Sequence, residues 1–462
     1  MNSRYWIHLL WCLCFVLLPG CETSDLRPDY QRARDLIVAT TGQSEVYDAT
    51  RGPLTESEVG AFLAGGLSLD ESLQLALLNS RRLQAGFMGL GIARADYVQS
   101  GLLENPDLGM SMLLPAGGGP TRLMLDLSRS IADIWELPGR EREAELRMEL
   151  QLIELARQAG ELVFDTKAAY YESVAARAAR RAALGAIDLE VQSLALLRER
   201  ITAGVAMEAD ANLAERIVLD SELASRRAER READSMRRLA SLLSMASDLR
   251  AVALTDPLPA PAVAPRYADR EQLVESSRAA RLDLRALRLA VEAAGERLEL
   301  EHLRSVPELT VGLGYERGEA GASNNHVLGP SVELELPIFD QNEAQVSKAA
   351  YEFQQLRRIY EALFAEVGQQ VRAALDGAVL EAQASVLVSD QILPHAIRSA
   401  ALAKKAFELG IATLPGLLEA ERAVTRAQAT GLDAALLAAL AFVELERAMG
   451  GPMRPVDTDR WR

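Results

Sequence analysis

Side chains able to act on a substrate or hold a metal are few in this sequence and poorly spaced for it. His302, His326 and His395 lie far apart, with no second ligand at metal-binding spacing. Cys12, Cys14 and Cys21 all fall near the start, the first two inside an apolar leader, so no thiol remains downstream for a disulfide, a thiolate metal site or a nucleophile. No G-x-S-x-G, H-E-x-x-H or phosphate loop occurs. Asp and Glu are abundant, 66 in all, and their runs along helix faces read as solvated charge. No catalytic residue, cofactor or metal site is therefore expected, and the chain is read as a non-enzyme. Lys and Arg number 50, leaving a net charge of −16 with no basic stripe, so no nucleic-acid partner is expected.

The N-terminus addresses the chain. Arg4 precedes an apolar run of about fourteen residues, short of the roughly 20 a membrane-spanning helix needs, and residues 1–20 read as a secretory signal peptide. Leu18-Pro19-Gly20-Cys21 resembles a bacterial lipobox, with Pro19 departing from the usual small residue. Cys21 is then the lipidation site, carrying palmitate-type chains in outer-membrane lipid. Glu22 is not the Asp that retains such lipoproteins at the inner membrane. A plain signal sequence with an incidental cysteine is the other reading. After Cys21 no further apolar stretch is expected to span a bilayer as a helix, so a membrane crossing would have to be a closed β-barrel.

Proline then punctuates the elements. No proline interrupts 139–256, 266–306 or 338–393, and an interior proline costs a helix about 3 kcal/mol, so these gaps permit long helices. Between them lie two proline-bracketed segments, 106–138 and 307–337. In the first, Leu108, Met110, Met112 and Leu114 alternate with Gly109, Ser111 and Leu113. Beyond a Gly-rich turn, Leu123, Leu125 and Leu127 alternate with Met124, Asp126 and Ser128. In the second, Leu309, Val311, Leu313 and Tyr315 alternate with Thr310, Gly312, Gly314 and Glu316, and Val332, Leu334 and Leu336 with Ser331, Glu333 and Glu335. Period-two patterning predicts two β-hairpins, each with one apolar face.

The arrangement repeats with a period of about 200 residues, one fold duplicated rather than a solenoid. Each half runs helix (about 36 residues, from near Leu69 or Asp269), hairpin, helix of about 65 residues, a break near Gly204 or Gly410, and a helix of about 36. The predicted domains are a lipidated arm at 21–66, a first repeat at 67–256, a Pro-rich linker at 257–266, a second repeat at 267–449 and a tail at 450–462. Ile187, Val191, Leu194, Leu197 and Ile201 form a coiled-coil-like seam. The fold class is mainly α with a small β part. A lone hairpin is marginal in water, and strands of nine or ten residues with one greasy face suit a membrane barrel. Four strands cannot close a barrel, so several chains must contribute. A non-channel periplasmic coiled-coil lipoprotein, structural or bridging, is the competing reading, and it has no use for the hairpins.

These segments carry a resemblance to the outer membrane efflux protein family, the TolC-like ducts. It rests on Leu67-Ser68-Leu69-Asp70-Glu71-Ser72-Leu73-Gln74-Leu75-Ala76, Asn105-Pro106-Asp107-Leu108, Leu336-Pro337-Ile338-Phe339-Asp340-Gln341-Asn342 and Phe407-Glu408-Leu409-Gly410, in that order. The resemblance implies a homotrimer with a twelve-stranded transmembrane barrel in the cell outer membrane and a helical tunnel in the periplasm. It implies a passive efflux duct, working with a periplasmic adaptor (membrane fusion) protein and an inner-membrane efflux pump of the RND type. Gly204, Val205 and Ala206, with Gly410, Ile411 and Ala412, match the turns that meet the adaptor. Asp210 matches an acid that latches the closed mouth through a Tyr and an Arg, but Phe407 and Ala412 stand at those positions, so that latch is not reproduced. Of two acids ringing the family's entrance, one aligns with Gly416 and one with Glu419, which could focus potential for cations or be an ordinary solvated carboxylate. The residues around Asp340 look closer to the heavy-metal branch than to the drug branch.

Overall fold

The computed structural model describes residues 25–114, 116, 121–205, 207–246, 248–260, 270–317, 326–409 and 411–453. The signal peptide, Cys21, most of the linker and most of the C-terminal tail lie outside them. Two short helices, α1 (Arg27–Thr41) and α2 (Glu56–Leu63), occupy the arm. Each repeat then unfolds in the same order. The first comprises α3 (Leu69–Asn79), α4 (Arg81–Ser100), β1 (Asp107–Leu113), β2 (Arg122–Ser130), α5 (Asp133–Thr202) and α6 (Glu208–Leu242). The second comprises α7 (Arg270–Ala280), α8 (Leu282–Leu303), β3 (Leu309–Arg317), β4 (His326–Leu334), α9 (Glu343–Leu387), α10 (Leu393–Glu408) and α11 (Leu414–Met449). Among the described residues the chain is mainly helical with four strands, and the element order is duplicated.

Cα proximity divides the chain into two compact units. One contains Gly89–Met148 and Ala293–Ala350, and with them all four strands. These form one antiparallel sheet in the order β1-β2-β3-β4. The register decides its chemistry. Leu108, Met110 and Met112 pair with Leu127, Leu125 and Leu123; Leu127 and Leu125 pair onward with Leu313 and Tyr315, and these with Pro330 and Leu328. Directly paired residues share a face, so one face is apolar through the middle of all four strands, with Arg129, Arg317 and His326 toward its ends. The opposite face carries Gly109, Asp126, Ser128, Gly312, Gly314, Glu316 and Ser331. The edge strand β1 is exposed along its whole length, with Leu108 at 73% and Met110 at 72%.

The other unit is helical. Capping boxes start α2 and α3: Thr55 with Glu58, and Ser68 with Glu71, whose carboxylate accepts from the Ser68 N–H at 2.8 Å. Tyr170, fully buried, sits among Leu67, Leu75, Met236, Leu239 and Leu243. Its hydroxyl donates to the Leu67 carbonyl (3.0 Å) and accepts from the Asp256 N–H (3.1 Å), holding together segments far apart in sequence. A second core gathers Val274, Leu284, Val367, Val371, Leu375 and Leu445.

The structure corrects the sequence reading in several places. The single helix expected before each hairpin is broken, at Ser80 and at Arg281, although neither break carries Gly or Pro. Each is set by the helix end that reaches it. Beyond α6, the Leu243 carbonyl accepts from Asn79 Nδ2 at 2.7 Å, and beside it Ser244 turns to φ +53°. At the end of α11, the Ala448 carbonyl accepts from Ser277 Oγ (2.9 Å) and the Arg281 guanidinium (3.4 Å), while Gly450 turns to φ +84° against Arg281. Orphan carbonyls at two helix ends are thus satisfied in the same way in both repeats. The helix expected to run unbroken after the second hairpin passes through a π-turn, Val388–Ile392, just before Pro394, which has no N–H to give. After β2 the helix begins at Asp133 and takes Pro138 near its start. The expectation that nothing after Cys21 could span a bilayer as a helix also needs correcting. Pro415–Met449 is long enough, with a window of mean hydropathy 1.4. Part of it packs, with Ala427, Ala434, Ala438, Ala439 and Val443 buried, and 28% of the apolar window is buried in all.

Candidate functional site

The predicted turn residues gather where α5 meets α6 and α10 meets α11. Gly204 adopts φ +76°, a left-handed conformation that an L side chain resists, and its N–H donates to the Ile201 carbonyl at 2.9 Å. Val205 is exposed, its N–H closing on the Arg200 carbonyl at 3.0 Å. Across the second turn, Ile411 and Ala412 both donate to the Ala406 carbonyl, at 2.8 and 3.1 Å, and Ile411 stands 78% exposed. Ala206 and Gly410 lie outside the described residues. Two short turns therefore each present a branched apolar side chain to solvent.

Below the turns an apolar knot joins the two helical hairpins. Leu194 and Leu197 of α5 and Ala214 and Val218 of α6 are buried together, with Ile201, Phe407 and Leu418 against them. The Arg200 guanidinium lies 5.5 Å from the Phe407 ring centroid, a cation–π distance. Phe407, which stands where a latch Tyr was expected, is therefore a packing residue. Asp210 accepts only from the Met207 N–H, at 3.2 Å, among the described residues, and so serves as a cap at the start of α6.

The ionic tie at this end is a pair that sequence reasoning missed. Arg422 of α11 donates to both carboxylate oxygens of Glu190 in α5, at 2.9 and 3.0 Å. The Glu190 side chain is 10% exposed and that of Arg422 26%. The hydrogen bond to Glu190 raises the Arg422 pKa, with burial opposing. The two residues are separated by 232 positions, and nothing local marks either one. Glu419 pairs with Arg426 at 2.5 Å, both side chains more than half exposed. Its negative charge is therefore matched locally rather than presented alone.

The remaining quoted motif lies after β4. Leu336, Ile338 and Phe339 are exposed, Phe339 fully. Asp340 accepts from the Asn342 N–H at 2.9 Å, and Asn342, at φ +61°, donates its side-chain amide to the Glu301 carbonyl at 2.8 Å. The Asp-x-Asn pair is thus a turn that fixes the entry to α9. On the polar face of the sheet, the Arg122 guanidinium clasps Glu316 across β2 and β3. Nothing in either region is arranged to attack a bond; the features are those of surfaces and seams.

Residues 273–451 match the family model described as outer membrane efflux protein. Over 375 residues the chain is 25% identical to the cobalt-zinc-cadmium resistance protein CzcC of Cupriavidus metallidurans, covering 79% of this chain and 85% of that one. Among solved structures, the CmeC outer membrane channel of Campylobacter jejuni superposes with a TM-score of 0.67 at 16% identity, covering 88% of this chain and 91% of that one. The outer membrane protein VceC of Vibrio cholerae gives 0.66 at 18%, covering 84% and 97%. The fold is that of these channels.

Proposed function

We propose, for a chain that resembles the outer membrane efflux proteins in sequence and has their fold, that it is a passive outer-membrane duct of a tripartite efflux system. The observation that carries this reading is the register of the sheet. One face is apolar through the middle of all four strands, with Arg129, Arg317 and His326 only toward its ends. The other is mainly small or charged, with Leu113, Met124 and Val327 its large apolar members, and both edges are left open. Four strands with free edges cannot stand in a bilayer, where every backbone N–H and C=O must be paired within protein. Three copies, β4 of one against β1 of the next, close a twelve-stranded barrel with the apolar face to lipid and the polar face to a lumen. The paired helices α5/α6 and α10/α11 form a periplasmic tunnel.

In this assembly the exposed side chains of Val205 and Ile411 offer the adaptor small greasy knobs on fixed turns, and an inner-membrane pump of the RND type supplies the energy. Lipid on Cys21 anchors the arm at the outer membrane. Likeness to a cobalt-zinc-cadmium resistance protein favours divalent metal cations as cargo. The test is membrane fractionation followed by electrophoresis without heating. A detergent-resistant trimer in the outer membrane is expected. A monomer in the soluble or inner-membrane fraction removes the duct in favour of a bridging lipoprotein.

A further inference from the structure

The polar face of the sheet contains a row that packing does not explain. Gly109 of β1 pairs with Asp126 of β2, Asp126 with Gly314 of β3, and Gly314 with Gly329 of β4. One carboxylate therefore stands in a row whose other three positions have no side chain. Glycine within a strand is destabilising by about 0.5–1 kcal/mol against alanine, so three in one row need a cause. The usual causes do not apply. None of the three adopts a positive φ. A Cβ on Gly329 would meet nothing within 4 Å, and on Gly109 or Gly314 only ordinary contacts at 3.8–3.9 Å. The adjoining Gly312 differs, since a Cβ there would lie 2.5 Å from Ser331 Oγ and 3.0 Å from the Leu127 carbonyl. Gly312 is required by its neighbours, whereas the Asp126 row is kept bare for another reason.

The charges on this face sharpen the point. Glu316 is neutralised by Arg122, which grips it with two guanidinium nitrogens. Asp126 has no cationic partner among the described residues; it accepts a hydrogen bond from the Ser331 hydroxyl at 3.4 Å. Asp107 and Glu333 lie toward the strand ends. Asp126 is thus the unmatched charge at mid-strand, and nothing in its row shields it.

We propose that Asp126 is the charge-selecting residue of the duct, attracting cationic cargo and repelling anions where the bare glycine row leaves its carboxylate as the dominant feature of the wall. This rests on the trimeric duct reading, in which three-fold symmetry sets three Asp126 carboxylates at one height of the lumen. A low-dielectric wall focuses their field, and each kT of potential changes the local ion concentration by about 2.7-fold. The glycines keep the passage wide enough for a hydrated ion while the carboxylates act across it.

The test uses full-length trimer in planar bilayers under a potassium chloride gradient. Asp126→Asn is expected to lower the cation-to-anion permeability ratio by about threefold, with single-channel conductance otherwise retained. Gly329→Leu, whose Cβ meets no atom within 4 Å, is expected to lower conductance while leaving the ratio in place. An Asp126→Cys trimer treated with an anionic methanethiosulfonate is expected to regain the wild-type ratio, and a cationic reagent to lower it further. An unchanged ratio in the folded Asp126→Asn trimer, or in the Cys trimer with either reagent, overturns the assignment. A trimer that conducts no ions even when the Glu190–Arg422 tie is removed by Arg422→Met overturns the duct reading itself.

Discussion

Removing the Arg422 guanidinium is the sharpest perturbation of the proposed tunnel mouth. The pair it makes with Glu190 joins α11 of the second repeat to α5 of the first through two bonds of 2.9 and 3.0 Å. Breaking a fully buried ion pair by losing one partner costs about 3–5 kcal/mol, whereas an exposed pair contributes about 0–1. Glu190 is nearly buried but Arg422 is a quarter exposed, so water recovers part of the loss, and about 2 kcal/mol is the expected cost. If the mouth opens by parting the two hairpins, Arg422→Met shifts that equilibrium by about thirty-fold in each subunit. Three subunits opening together would shift by roughly 6 kcal/mol. The measurement is open probability in single-channel recordings of reconstituted trimer, with Glu419→Gln as the control. That residue's partner Arg426 is as exposed as itself, so its loss should change little. Arg422→Met paired with Glu190→Gln should behave no worse than Arg422→Met alone, because the second change removes the stranded carboxylate. Unchanged open probability in Arg422→Met, or a larger effect from Glu419→Gln, would refute the idea that this pair holds the hairpins together.

Two further outcomes follow from buried polar groups. Burial acts to raise the Glu232 carboxyl, but hydrogen bonds from Arg180 and Arg177 outweigh it and leave the pKa below the ordinary 4.5. A lowered folded value stabilises above the ordinary one and is lost as pH falls through the lowered one. Glu232→Gln should therefore cost about 1–2 kcal/mol at neutral pH, a difference that shrinks as pH falls through the lowered pKa and vanishes once the wild-type carboxyl is protonated, as thermal melts carried from neutral pH into acid would show. Tyr170→Phe should cost about 1 kcal/mol in denaturant melts, because it strands the half-buried Asp256 N–H while the Leu67 carbonyl keeps its second donor, the Thr255 N–H at 3.1 Å. A neutral result would mean that water replaces the hydroxyl.

What was legible in the sequence was what local chemistry writes there. Pro106 and Pro307, followed by strict alternation, announced the hairpins because a strand's period is carried by adjacent residues. Gly204 announced its turn because left-handed backbone selects glycine. The breaks at Ser80 and Arg281 were not legible, since each is imposed by a helix end about 165 residues away, through Asn79 to Leu243 and Ser277 to Ala448. Pro394 did mark the π-turn, but its position inside a long periodic stretch concealed that reading. At the candidate site, Phe407 and Asp210 were visible as positions, whereas the tie between Glu190 and Arg422 exists only once two distant helices lie side by side. The row around Asp126 was equally hidden: alternation gave its face, and only cross-strand register put glycine on both sides of it.

The naked rims of the sheet impose a sequence of events on biogenesis. Along β1 and β4 one chain exposes unpaired amides and carbonyls beside greasy side chains such as Met110 and Val332, and such rims recruit any strand they meet. A solitary subunit can therefore neither enter lipid nor linger safely in water. If the chain is the proposed duct, association with its siblings has to accompany insertion, so the yield of finished pores should depend steeply on subunit supply, and underproduction would leave escorted or degraded chains rather than fewer, slower channels.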